Sequence, residues 1–250
     1  MTLRVTGRRP DGHHDLATRF QALALHDLLL AERSETVTSL QGGFEDDLVL
    51  RAHRAVEELV GRSLPTRFRL LKRIPTGAGL GGGSSDAATA LRMLSVLHRL
   101  DLRVDRDLEP LAGRLGADVS FFLRGGAADG AGRGELLRPA PPATGWLALA
   151  WPGFSVATGA VYEAWDEVGG GGENELERAA GLVEPRLARL ATALREREGR
   201  WLMTGSGSAF FCHTRTREAA DRVLTAIADL ELPWTVVTRP VGPWDERAPV

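Results

Sequence analysis

Cysteine is almost missing from this 250-residue chain. Cys212 is the only one, so no internal disulfide can form. That excludes a disulfide-stapled scaffold and fits a reducing cytosol. Lysine is as scarce: of 31 basic residues only Lys72 is a lysine. Any mechanism that needs a lysine amine therefore has one candidate here. Long apolar runs are lacking too. The stretch 147–151 is far too short to span a bilayer, and the N-terminus carries no apolar signal-peptide core. A cytoplasmic protein with no membrane partner is expected. A formal charge of −2 argues against a protein built around a nucleic-acid backbone.

What is present is ordinary globular material, 43% hydrophobic and 26% charged, which is enough to bury a real core and excludes a disordered chain. Alternation predicts strands over 2–6 and 67–74; 146–151, 209–213 and 234–239 read as further strands, with irregular strand within 16–30. Between 2–6 and the next strand, residues 7–12 read as a turn. Helical periodicity covers 47–60, with Leu48, Ala52, Ala55 and Leu59 on one face and Gly61 closing it. Further helices are expected over 85–100, 108–115, 157–165, 173–197 and 216–230. The apolar stripe of 85–100 is Ala87, Ala90, Leu91, Leu94 and Leu97. Proline-rich residues 139–145 form the candidate domain junction, which gives domains 1–143 and 144–250 and an α+β class.

The most informative stretch is Pro75-Thr-Gly-Ala-Gly-Leu-Gly-Gly-Gly-Ser-Ser-Asp86, between a strand and a helix. Its glycines Gly77, Gly79, Gly81, Gly82 and Gly83 let backbone amides approach a ligand without Cβ interference. A helix start adds unpaired amides and a dipole that favour an anion. Ser84 and Ser85 are expected to cap the helix or donate to phosphate. A flexible linker is the plain alternative, but linkers rarely join a strong strand to a strong helix. The loop lacks the Gly-Lys-Ser/Thr ending of a P-loop and the glycine spacing of a dinucleotide fingerprint.

The stretch from Pro75 through Gly77, Ala78, Gly79, Leu80 and Gly81 to Asp86 resembles the ATP-binding motif of the GHMP kinases, which phosphorylate small-molecule hydroxyls. Met203-Thr-Gly-Ser-Gly-Ser-Ala-Phe-Phe211 resembles a further motif shared across that family. Two segments, Gly7-Arg-Arg-Pro-Asp-Gly-His-His14 and Gly116-Ala-Asp-Val-Ser-Phe-Phe122, resemble one branch of it, which acts on a cytidine-diphosphate-linked methylerythritol. The resemblance runs along nearly the whole chain in the expected order. It implies a GHMP kinase fold: a ribosomal S5 domain 2-like first domain, a ferredoxin-like second domain, and ATP and substrate meeting in the cleft between them. It implies transfer of the γ-phosphoryl of ATP to the substrate 2-hydroxyl in non-mevalonate isoprenoid precursor synthesis, with Mg²⁺ on the phosphates. A GHMP kinase for another alcohol, such as mevalonate or homoserine, is the alternative within enzymes. A non-catalytic ligand sensor is the alternative outside them.

From the residues alone, Asp118 after Gly-Ala reads as a turn or capping acid, or as a general base beside Phe121 and Phe122. The resemblance implies the base. Adjacent His13 and His14 point apart on extended chain and make a poor chelating pair. The resemblance implies cytosine recognition instead: His13, in place of the usual tyrosine, stacks on the base, His14 bonds its edge, and Tyr162 covers the other face. It likewise assigns Thr158, Gly205, Ser206 and Gly207 to the substrate diphosphate. Asp47 and Leu48 fall at the adenine site, where Asp47 can accept the exocyclic amine. Lys72 falls near the nucleotide sugar, or is a solvated strand-end lysine. The resemblance also implies an Ala-Lys-x-Asn segment just ahead of the first strand, its lysine beside the aspartate. Those residues do not stand there. The expectation is an upstream start or a partly lost catalytic set, with activity impaired in the chain as written.

Overall fold

Alternation decides the first strand of the protein, whose computed structural model describes residues 2–43 and 47–244. Strand β1 (Leu3–Arg8) turns Leu3 and Val5 inward and Arg4, Thr6 and Arg8 outward. It runs two residues past the expected end at 6, because Gly7 and Arg8 still pair with Asp15 and His14 of β2 (His14–Gln21). Met1 and residues 245–250, included in the expected domain ranges, lie outside the described residues.

The remaining elements follow in order. They are β3 (Leu28–Arg33), β4 (Ser39–Gln41), α1 (Leu48–Val60), β5 (Thr66–Leu71), α2 (Gly82–Leu97), α3 (Glu109–Leu115), α4 (Ala117–Arg124), β6 (Ala127–Ala131), β7 (Leu136–Ala140), β8 (Trp146–Trp151), α5 (Thr158–Val168), α6 (Glu177–Val183), α7 (Pro185–Arg195), β9 (Trp201–Met203), β10 (Phe210–Thr214), α8 (Arg217–Thr225) and β11 (Trp234–Thr238). They form two compact units, and neither is a single run of chain.

One unit comprises, of the described residues, 2–25, 75–80 and 126–242. It holds two four-stranded sheets, β1-β2-β6-β7 and β11-β8-β10-β9, whose strand pairs are antiparallel. Strand β8 is buried on both faces at its centre, and α5 to α8 cover one side of its sheet around Val161, Leu176, Leu187, Leu194 and Phe210. The expected helix 173–197 is two helices. Pro185 cannot continue a helix from α6, and Glu184 restarts the chain by accepting the Arg186 amide N–H.

The other unit comprises, of the described residues, 26–43, 47–74, 81–125 and 243–244. Its sheet has the order β3-β5-β4, with β4 parallel to β5. Helices α1 to α4 build a core around Val49, Val56, Leu64, Phe68, Leu91 and Leu94. Asp47 caps α1, and Gly61 ends it at φ 67°. Leu59, expected on the inner face, is 45% exposed; Val49 and Val56 join Ala52 and Ala55 in the core instead. The stripe runs i, i+3, i+6, i+7; Leu59 continues it in angle but lies in the last turn of α1, past the last buried position.

Candidate active site

The glycine-rich stretch turns inside out one expectation. Helix α2 starts at Gly82, three residues before the predicted 85, and ends at Leu97. Gly81, at φ 71°, bends the chain into the helix, and its carbonyl accepts the Ser85 amide at 2.9 Å. Ser84 and Ser85 are thus helical, and no side chain caps α2. The amides of Gly82, Gly83 and Ser84 lie in the first turn, where an α-helix offers them no carbonyl of its own. No acidic residue stands in that turn, so the end of the helix is electropositive and open to an anion.

The remainder of the stretch belongs to the first unit and meets the second glycine-rich turn there. The Ala209 amide donates to the Ala78 carbonyl at 2.9 Å, and the Thr204 hydroxyl donates to the Gly79 carbonyl at 3.2 Å. A Cβ on Gly79 would stand 2.5 Å from the Gly207 carbonyl oxygen, so only glycine allows this approach. Gly77 is equally confined, against the Ser155 side chain. Two motifs 125 residues apart in sequence are therefore one structure. Asn174 supports it from beneath: its buried Nδ2 donates to the Met203 and Gly205 carbonyls at 2.9 and 2.8 Å. Sequence reading passed over Asn174. A lone amide after the run 169–172 was its only signal.

Lys72 is not a solvated strand-end lysine. Its Nζ donates to Asp27 Oδ2 at 2.5 Å and to Asp86 Oδ2 at 2.8 Å, and both carboxylates are nearly buried. Burial pushes the Asp86 pKa up to about 6, against the opposing pull of Lys72. Burial also lowers the Lys72 pKa, but the bonds from Asp27 and Asp86 outweigh it and leave the ammonium raised. Asp27 further accepts the amides of Arg73 and Ile74 at 2.5 and 2.9 Å. Those amides are lost to the sheet, and so β5 stops at Leu71 instead of 74. The signal for Asp27 was parity: Phe68 and Leu70 point inward, and a lysine at 72 on the same side needs a carboxylate.

Asp47 Oδ1 accepts the Val49 amide at 2.9 Å, so helix capping occupies part of the carboxylate expected at adenine. Leu48 packs at the edge of the helical core.

Asp118 lies in the first turn of α4, a helix the sequence reading missed; it does not sit in a turn after α3. Gly116 ends α3 and begins α4. Among the described residues Asp118 makes no hydrogen bond or ion pair. Asp118 is exposed at the surface, yet the protein packed around its carboxyl group disfavours the charged form, and this desolvation raises its pKa. Neighbouring Phe121 is buried, with the Phe122 ring edge-on at 5.1 Å.

The two histidines separate. His13 is exposed, its ring beside Asp11 at 3.4 Å. His14 is buried on β2, and its ring stacks on Tyr162 with centroids 5.0 Å apart and planes 17° apart. Trp165 meets the same ring edge-on at 5.6 Å, and His14 Nε2 lies 2.7 Å from Asp166 Oδ1. Tyr162 thus gathers with His14, not with His13. Helix α5 carries this cluster and also Thr158, whose hydroxyl is 2.9 Å from the Ser206 hydroxyl in the Gly205–Gly207 turn. Asp166 was not foreseen; its spacing of four from Tyr162 on a predicted helical run was the available clue.

The family model of the GHMP kinases N terminal domain matches residues 47–126, and that of the GHMP kinases C terminal matches 160–230. A 4-diphosphocytidyl-2-C-methyl-D-erythritol kinase of Pseudomonas entomophila is 37% identical over 251 residues, which span 92% of this chain and 86% of that protein. The enzyme of the same name from Aromatoleum aromaticum is 35% identical and spans 97% and 92%. Among solved structures, a 4-(cytidine 5'-diphospho)-2C-methyl-D-erythritol kinase superposes with a TM-score of 0.84 at 34% identity, covering 96% of each chain. A homoserine kinase from Cytophaga hutchinsonii, at 18% identity and a TM-score of 0.68 over 89% and 88%, shares the fold.

Proposed function

The chain belongs to the 4-diphosphocytidyl-2-C-methyl-D-erythritol kinase family of the GHMP kinases, and from that premise we propose which residues carry its reaction. The reaction is transfer of the γ-phosphoryl group of ATP to the 2-hydroxyl of 4-diphosphocytidyl-2-C-methyl-D-erythritol. The single observation that carries the substrate reading is the layout of α5. Tyr162, stacked on His14, and Thr158, beside Ser206, stand one helical turn apart. That is a rise of about 6 Å, which suits a cytosine held at one end and its diphosphate at the other. Gly205, Ser206 and Gly207 offer the backbone that a diphosphate approaches.

The α2 start from Gly81 to Ser85, with Pro75, Gly77, Ala78, Gly79 and Leu80 leading into it, holds the ATP phosphates. Lys72, Asp47 and Leu48 line the nucleoside side. Asp118 accepts the proton of the 2-hydroxyl as its oxygen attacks the γ-phosphorus. Its raised pKa makes it a stronger base than an ordinary carboxylate, and with no competing hydrogen bond among the described residues both oxygens are available. Catalysis rests on positioning and on the positive end of α2 facing negative phosphates. When bound with ATP, Mg²⁺ would supply neutralisation of phosphate charge, since it commonly keeps its waters and relies on substrate phosphates. The boundary at 143/144 is kept as the division between the two family domains, since the matched segments fall on either side of it. With no membrane-crossing helix among the described residues, a cytoplasmic site of action is part of the same reading.

The test is transfer of radiolabel from γ-labelled ATP to the cytidine-diphosphate substrate, with mevalonate and homoserine as competing acceptors. Label on the cytidine substrate alone is expected. Label on another alcohol, or ATP binding with no transfer, would overturn the assignment.

A further inference from the structure

We infer that Asp166 is a positioning residue that fixes the tautomer of His14, so that Nδ1 presents a bare lone pair to the substrate and accepts the exocyclic amine of cytosine. The inference rests on the base-binding reading of His14 and deepens it.

Chemistry decides the tautomer. The bond from His14 holds Asp166 below the usual carboxylate range, so the group is ionised at neutral pH. An ionised carboxylate only accepts hydrogen bonds. The 2.7 Å contact between Nε2 and Oδ1 therefore requires the hydrogen on Nε2. In a neutral imidazole the other nitrogen is then an acceptor. Nδ1 has no hydrogen-bond partner among the described residues, so its acceptor capacity is unspent inside the protein.

Geometry fixes the ring as well as the proton. Tyr162, Trp165 and Asp166 all project from one face of α5. They hold the ring by stacking, by an edge contact and by the charged bond. The side chain of His14 is only 6% exposed, so it has little freedom to turn and exchange its nitrogens. The charged groups that reach the pair are Asp166 and Arg8, whose guanidinium lies 3.3 Å from the second Asp166 oxygen. Arg8 thus anchors the carboxylate from β1 while its first oxygen serves the histidine.

An acceptor aimed at position 4 of a pyrimidine pairs with the amine of cytosine and repels the carbonyl of uracil. Without Asp166 the ring can carry its hydrogen on either nitrogen, and the selection weakens. The experiment uses the full chain and its Asp166→Ala and Asp166→Asn variants. It measures KM and kcat with the cytidine substrate and its uridine counterpart, alongside ¹⁵N spectra of the ligand-free protein in which His14→Gln identifies the resonance. The parent should show the Nε2-protonated form and favour cytidine by KM. Asp166→Ala should raise the cytidine KM about tenfold, the weight of one hydrogen bond, leave kcat nearly unchanged, and lose both the tautomer signature and most of the base preference. Asp166→Asn, whose carbonyl oxygen can still accept from Nε2, should recover part of each. Retention of tautomer and base preference in Asp166→Ala overturns the inference while the base-binding reading stands. A parent that shows the expected tautomer but no preference between bases overturns the base-binding reading itself.

Discussion

Two helices of one unit, α2 and α4, both start on a glycine with no side-chain cap, and they put the same bare N-terminus to opposite uses. Helix α2 begins Gly82-Gly83-Ser84 and keeps acidic groups out of its first turn; its first acid, Asp86, lies a turn further in and is tied to Lys72. Helix α4 places Asp118 inside the first turn, where it has no hydrogen-bond or ion-pair partner among the described residues. A helix dipole favours negative charge at its start. At α2 the chain puts no acid in that place, whereas at α4 it supplies the charge itself. Both carboxyl groups are raised by desolvation, but one is neutralised by an ammonium and the other is free to take a proton. The comparison predicts that the Asp86 pair is a stability element and Asp118 a rate element.

The largest effect should come from breaking the paired side. Lys72→Met would leave Asp27 and Asp86 buried without a counterion, a change that commonly costs about 3–5 kcal/mol. The sign of its pH dependence follows from Asp86. Its folded pKa, about 6, lies above the ordinary value of 3.8. The folded state therefore binds the proton more tightly, and the Asp86 contribution falls as pH rises through that window and levels off above it. Removing Lys72 pushes this pKa higher still. Denaturant melts of Lys72→Met should show a large loss at pH 7.5 that shrinks as pH falls toward about 6, where the parent Asp86 is itself protonated, and stays level below it. A loss independent of pH would mean that Asp86 is not the group left stranded.

Next comes the unpaired side. Asp118→Asn should cut turnover by at least about a hundredfold, the lower range for a lost general base, with substrate KM and melting temperature nearly unchanged. The acid limb of the parent kcat/KM profile should sit above the ordinary carboxylate range, as desolvation requires, and should vanish in the variant. Near-normal turnover would erase the distinction between the two helices.

How far this contrast could be read from residues differs by element. Strand β8 is legible to the residue, because Trp146 to Trp151 is a continuous apolar run flanked by turn residues. The order of the glycine motifs is legible because their chemistry is local. Helix α4 was hidden: it follows α3 with only Gly116 between, and eight residues give too little periodicity to separate it from a loop. Strands β6 and β7 escaped for a related reason, since Ala-Ala-Asp-Gly-Ala has no β-branched residue to mark it. Asp27 and Asp166 are lone acids in unremarkable surroundings. Their meaning comes from partners 45 and 152 residues away, which no local pattern contains.

The smallest expected effects separate the two glycines that open α2. A Cβ at Gly82 would stand 3.0 Å from Ile74 Cγ2 and 3.2 Å from Lys72 Nζ. Gly82→Val should therefore disturb the packing and the lysine pair together, and overpacking of this kind costs about 1–3 kcal/mol. Any loss of ATP binding in that variant would be confounded by the loss of fold. Gly83 is the cleaner probe. A Cβ there meets only Leu48 Cδ1, at 3.6 Å, an ordinary contact, and its backbone is not left-handed. Gly83→Ala should raise stability by roughly 0.5–1 kcal/mol, the entropic difference between alanine and glycine within a helix. If the α2 amides hold phosphate, the added methyl group stands where the ligand must approach, and KM for ATP should rise while the melt improves. The opposite signs are the point of the test. A damaged fold would move both measurements the same way, and an α2 start that holds no anion would leave the ATP KM where it was.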